Sequence, residues 1–108
     1  MSKPDRRALE DSSLRAFLVR TLSEQPHTGA IGGRYEAEVG MCPWGFALDA
    51  VRIERLLLWH GELDRLIAAD QARALAAALP HCTATSFPDE GHLSVIANRA
   101  REILALLK

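Results

Sequence analysis

Apolar and polar positions follow two different patterns along this chain, and the change falls near Pro43. Ahead of it, Leu14, Phe17, Leu18 and Leu22 recur at helical spacing and make one apolar stripe. Asp11, Ser12 or Ser13 can cap the start of that helix, and Pro26 ends it. From Thr28 to Gly40 the pattern is broken by Gly29, Gly32, Gly33 and Gly40. A loop is expected there, with a short helix around 35–39. The apolar, turn-rich Cys42-Pro43-Trp44-Gly45-Phe46 follows, with Trp44 expected in the core or lining a pocket.

Beyond Pro43 the periods are clearer. RLLLWH, from Arg55 to His60, is a short apolar run that suits a strand buried on both faces. Residues 69–79 put Ala72, Leu75, Ala76 and Leu79 on one side of a helix that Pro80 stops. CTATSF, at 82–87, is rich in threonine and ends in an aromatic, as a second strand does. Pro88-Asp89-Glu90-Gly91 is a turn. A last helix over about 94–107 carries Ile96, Ala100, Ile103, Leu104 and Leu107 on its inner stripe. The fold class expected is α/β: a βαβα unit with a parallel strand pair, at 43–108, preceded by a helical cap-like segment at 1–42.

Composition narrows the function classes. The chain has 108 residues, 48% of them hydrophobic and 25% charged, with a net charge of -1. That is ordinary globular usage, and it offers no basic field for nucleic acid. No apolar run approaches the ~20 residues of a membrane span, and the polar start MSKPDRRALEDSS has no apolar signal core. A cytoplasmic protein without membrane or nucleic-acid partners is expected. Cys42 and Cys82 form neither a CxxC nor a metal-ligand spacing and read as free thiols, Cys82 as a buried one. His27 and His81 sit by helix ends and read as solvated.

The candidate chemistry lies on two loops. Asp64 follows the first expected strand by four residues and His92 follows the second by five. Both loops leave the carboxyl ends of parallel strands, the edge at which open α/β sheets bind ligands. Neighbouring strands run about 4.8 Å apart, so an Asp on one such loop reaches a His on the next. A buried carboxylate holds an imidazole in one tautomer and stabilises the cation formed when the ring takes a proton. Gly61 and Gly91 are expected to allow tight turns beside these residues. His60 and Glu62 stand close enough to suggest a metal site with Asp64 and His92. Turn residues beside a reactive loop account for them more simply, so no metal and no cofactor is expected.

LLLWHGELDRLIAADQARALAAALP followed by TSFPDEGHLSVI resembles the last two strands of the α/β-hydrolase fold. Pro43-Trp44-Gly45-Phe46 resembles the return from that family's mobile cap. The resemblance implies that Asp64 is the catalytic acid and His92 the catalytic base of a Ser-His-Asp triad acting on ester or other acyl bonds. Two departures stand out. Leu66-Ile67-Ala68 replaces a common Val-Pro after the acid. None of Ser2, Ser12, Ser13, Ser23, Ser86 and Ser94 lies in a Gly-x-Ser-x-Gly elbow, so the nucleophile is missing.

Without nucleophile and oxyanion donors, negligible esterase activity is expected of the chain alone. The strand from Arg55 to His60 is expected to present an open edge, which invites pairing with another chain. A homo-oligomer, or a complementing hydrolase chain docked on that edge, is the partner implied. Two other readings are a non-catalytic oligomerisation or binding module derived from a hydrolase, and a metal-dependent or general-base enzyme using His92 and Asp64 without serine.

Overall fold

A computed structural model describes residues 1–24 and 29–108. The elements are α1 (Lys3–Ala8), α2 (Ser12–Glu24), α3 (Gly29–Met41), a 3-10 turn (Leu48–Ala50), β1 (Leu56–Gly61), α4 (Ala69–Ala78), β2 (Cys82–Phe87) and α5 (Ser94–Leu106). β1 and β2 run parallel in register from Leu56 opposite Cys82 to Gly61 opposite Phe87. The chain is thus mixed α/β, with the strand–helix–strand–helix order expected after Pro43.

Side-chain alternation on β1 divides the two helices that cover it. Leu58 and His60 border Ala69 and Ala72 of α4. Leu57 and Trp59 border Ile103 and Leu106 of α5. The Trp59 and Phe87 rings meet on adjacent strands at 5.0 Å between centroids, and the Arg99 guanidinium of α5 lies 4.6 Å over Phe87. Helix α1 packs against α5.

Several expectations are corrected. Residues 29–41 form one helix of 13 residues rather than a loop with a short helix, despite their glycines. Each glycine costs a helix only about 1 kcal/mol. The i,i+4 pair Arg34–Glu38, at 3.0 Å, supports it, as Arg20–Glu24 at 3.1 Å supports α2. Lys3–Ala8 is a helix that the polar start did not suggest. Asp11 does cap α2, its carboxylate accepting from the N–H groups of Ser13 and Leu14. The roles expected of Pro26 and His27 lie outside the described residues.

The apolar stripes are less covered than their periodicity implies. Phe17 and Leu22 on α2 are exposed, as are Ile96, Leu104 and Leu107 at α5. Trp44 is exposed rather than in a core, and Cys82 is half-buried rather than buried. Among the described residues the buried hydrophobic ones are Ala72 and Val95. Among the described residues, α2 and α3 have no packing partner comparable with those of the other helices. The accessible surface is 8625 Å², against about 5,900 Å² for a compact monomer of this mass. The radius of gyration is 16.0 Å, against about 13 Å for a compact domain of this length.

Candidate functional site

The rim at the carboxyl ends of β1 and β2 is tied together by the main chain before any side chain is considered. The Glu62 N–H donates to the Phe87 carbonyl at 2.9 Å, continuing the sheet pairing by one residue, and the Leu63 N–H donates to the Glu90 carbonyl at 2.9 Å. The two loops are therefore locked edge to edge. Gly61 makes that possible for a reason other than the one expected. It does not adopt a left-handed conformation, but a Cβ there would run into the Glu90 and Gly91 carbonyls. The need is for space, not for torsional freedom.

Asp64 sits at the tip of the first loop with its side chain 4% exposed. One carboxylate oxygen accepts from the N–H groups of Leu66 and Ile67, at 2.8 and 2.9 Å. The other lies 2.9 Å from His92 Nδ1. Burial opposes ionisation of Asp64. The Ile67 N–H, the His92 ring and the Leu66 N–H outweigh it and hold the carboxyl below its ordinary value. An ionised carboxylate only accepts, so His92 Nδ1 carries the proton and donates. The His92 side chain is 42% exposed, and its Nε2 has no partner among the described residues. Asp64 and His92, named from the sequence, are thus brought together in the orientation that leaves one basic nitrogen open.

His60 is a second neighbour of Asp64. Its Nε2 donates to the Ile67 carbonyl at 3.0 Å, while its Nδ1 is 4.0 Å from the Asp64 carboxylate. Glu62 is turned elsewhere, accepting from the Ser86 hydroxyl at 2.8 Å. Among the described residues no group of three or more His, Cys, Asp and Glu side chains converges as a metal site.

Residues that sequence reasoning missed lie on α1 and in the second loop. Ser2 and Asp5 are both 3% exposed. The Asp5 carboxylate accepts from the main-chain N–H groups of His92, Leu93 and Ser94 at 3.0, 2.8 and 2.9 Å. The Ser2 hydroxyl donates to the same carboxylate at 2.6 Å. Burial works against the Asp5 anion, but these four donors prevail and keep its carboxyl below the ordinary value. Glu90, also buried, accepts from Asn98 of α5 at 3.0 Å and faces Arg99. A signal for Ser2 and Asp5 was present: Ser-x-x-Asp with Pro4 between them is a helix-start pattern. Nothing local, however, tells that Asp5 reaches a loop nearly ninety residues away.

A hollow of about 350 Å³ opens beside the pair, lined by Met1, Asp5, Arg65, Leu66, His92 and Leu93. A larger one of about 490 Å³, between α1, the start of α2 and α5, contains neither Asp64 nor His92. Among the described residues no serine hydrogen-bonds to the His92 ring. Ser2 donates to Asp5, Ser86 donates to Glu62, and the Ser94 hydroxyl accepts from the Gly91 N–H at 2.7 Å. Ser12, Ser13 and Ser23 lie on α2.

Comparison with protein-family models, with curated proteins and with solved structures gives no match. Among the described residues no helix is long and apolar enough to cross a membrane.

Proposed function

We propose that this chain supplies the acid and base of an α/β-hydrolase-type triad for ester or related acyl bonds, with the nucleophile and oxyanion donors coming from another polypeptide segment. One observation carries the reading: a nearly buried, ionised Asp64 is fixed by two main-chain donors and receives His92 Nδ1–H at 2.9 Å, while Nε2 stays open. In that arrangement Nε2 removes the proton of an attacking hydroxyl. Asp64 stabilises the resulting imidazolium, and the same nitrogen then returns the proton to the leaving group. The hollow lined by Leu66, Leu93 and Met1 suits an apolar acyl or alcohol portion.

The test has two arms. Alone, the chain should turn over a nitrophenyl ester negligibly; turnover abolished by His92→Ala would overturn the missing-nucleophile reading. Co-expression with the product of an adjacent reading frame carrying Gly-x-Ser-x-Gly should restore turnover that His92→Ala and Asp64→Asn each remove. Failure to restore it, with the two chains co-purifying, would overturn the hydrolase reading.

A second reading, a non-catalytic association module, is favoured by the exposed area. The surface in excess of a compact monomer is of the order of 2,700 Å², more than one partner contributes to an ordinary interface, about 800 Å². Both strands of the two-stranded sheet have an open edge. Association of two or more copies, or of a complementing chain, along the β1 edge from Leu56 would cover it. Sedimentation showing a clean monomer at micromolar concentration would count against self-association.

A further inference from the structure

We propose that helix α1 is a positioning clamp for the candidate site: Ser2 and Asp5 hold the main chain of His92 so that its ring stays on Asp64. The proposal rests on the Asp64–His92 pairing but not on the identity of any substrate.

His92 is the first of three consecutive residues whose N–H groups end on one carboxylate. Asp5 takes His92 N–H on one oxygen, and Leu93 and Ser94 N–H on the other, all within 3.0 Å. Those N–H groups precede or open α5, where the first turn leaves its donors without intrahelical partners. A carboxylate there is favoured by the helix dipole as well as by the hydrogen bonds. Because both oxygens are used, the carboxylate plane fixes the direction of the main chain at His92, not merely its distance. The Ser2 hydroxyl, donating at 2.6 Å, fixes the carboxylate in turn.

The clamp needs Gly91. A Cβ at that position would overlap the Ser2 hydroxyl and the Asp5 carboxylate. Gly91 has no left-handed torsion to explain its presence; it leaves room for α1. From the other side, Leu63 N–H on the Glu90 carbonyl ties the loop to the one bearing Asp64. The segment 90–94 is therefore held between two fixed points, and the His92 ring starts from a fixed main chain within reach of Asp64. A plain helix cap would need only one or two of these bonds. Asp5 also bonds the residue whose ring is in question.

The experiment reads the ring itself in the full chain, by nitrogen-15 shifts of the two His92 ring nitrogens at about pH 8, where an ordinary imidazole is neutral. In the unaltered protein the proton should reside on Nδ1. Asp5→Ala and the milder Ser2→Ala and Asp5→Asn should each reduce the shift difference between the two nitrogens, as a freed ring exchanges between tautomers. Leu57→Ala, toward the start of β1 and away from the rim, should leave that difference unchanged while lowering stability. That control separates positioning from general destabilisation. If Asp5→Ala does not fold, Ser2→Ala and Asp5→Asn carry the test. An unaltered difference in all the clamp variants that fold would overturn the proposal while leaving the Asp64–His92 pair intact. A wild-type ring without its proton on Nδ1 would overturn the pair, and the clamp with it.

Discussion

The rim formed by residues 61–64, 90–94 and α1 differs sharply from the helical stretch formed by α2 and α3. At the rim nearly every polar group has a partner: Asp5 has four donors, Asp64 three, and Glu90 binds Asn98. Apolar burial there is small. In α2 and α3 the apolar residues are ample, yet Phe17, Leu22, Ile31, Tyr35 and Val39 stand exposed. Their fixed interactions are surface ion pairs, worth about 0.3–0.5 kcal/mol each. The lesson is that order in this chain follows hydrogen-bond satisfaction rather than apolar content. The α2 and α3 faces are helical without being packed.

The comparison breaks most easily at Asp5. Asp5→Ala leaves three main-chain N–H groups, one buried and two half-buried, without their charged acceptor and should cost about 3 kcal/mol in urea unfolding. A cost near zero would mean that α1 is not docked in solution. Gly61→Ala comes next. Its methyl would press on main-chain carbonyls that cannot swing aside, and about 2 kcal/mol should be lost, with changed amide shifts at Leu63 and Glu90. Acid should weaken the rim in particular. Asp5 and Asp64 are held below the ordinary value of 3.8 when folded, so their stabilisation is complete above that value. It is lost as pH falls through it toward the lowered folded values. A pH titration of stability should show this loss, and Asp5→Asn should flatten it. The smallest effect should come from Phe17→Ser or Leu22→Ser, within about 0.5 kcal/mol if α2 stands open. A larger loss, with a change in sedimentation, would show that association covers the α2 face and would close the gap between the two regions.

Much of the fold after Pro43 was legible in the sequence. The second strand, 82–87, has the expected bounds, and β1, α4 and α5 each shift by only about a residue, because Pro80, the 88–91 turn and the change of apolar period mark their ends locally. The pairing of Asp64 with His92 could be anticipated because strand spacing and loop length fix the reach of short loops. The helix over 29–41 was hidden by its glycines, whose cost is modest when neighbouring residues favour the helix. The stripes on α2 and α5 were read as buried because periodicity shows which residues share a face but not whether anything covers that face.

The sequence by itself therefore determined the order of elements after Pro43 and the two residues that meet at the rim, since both follow from short-range spacing and from which residues terminate helices and strands. Only the tertiary structure decided that Ser2 and Asp5 belong to that rim, that Gly61 and Gly91 are there to leave space, and that the apolar faces of α2 and α3 stand open. Those facts depend on contacts between residues far apart in the chain. Whether a side chain at one end lies against a main chain at the other is a property of packing that no local pattern encodes.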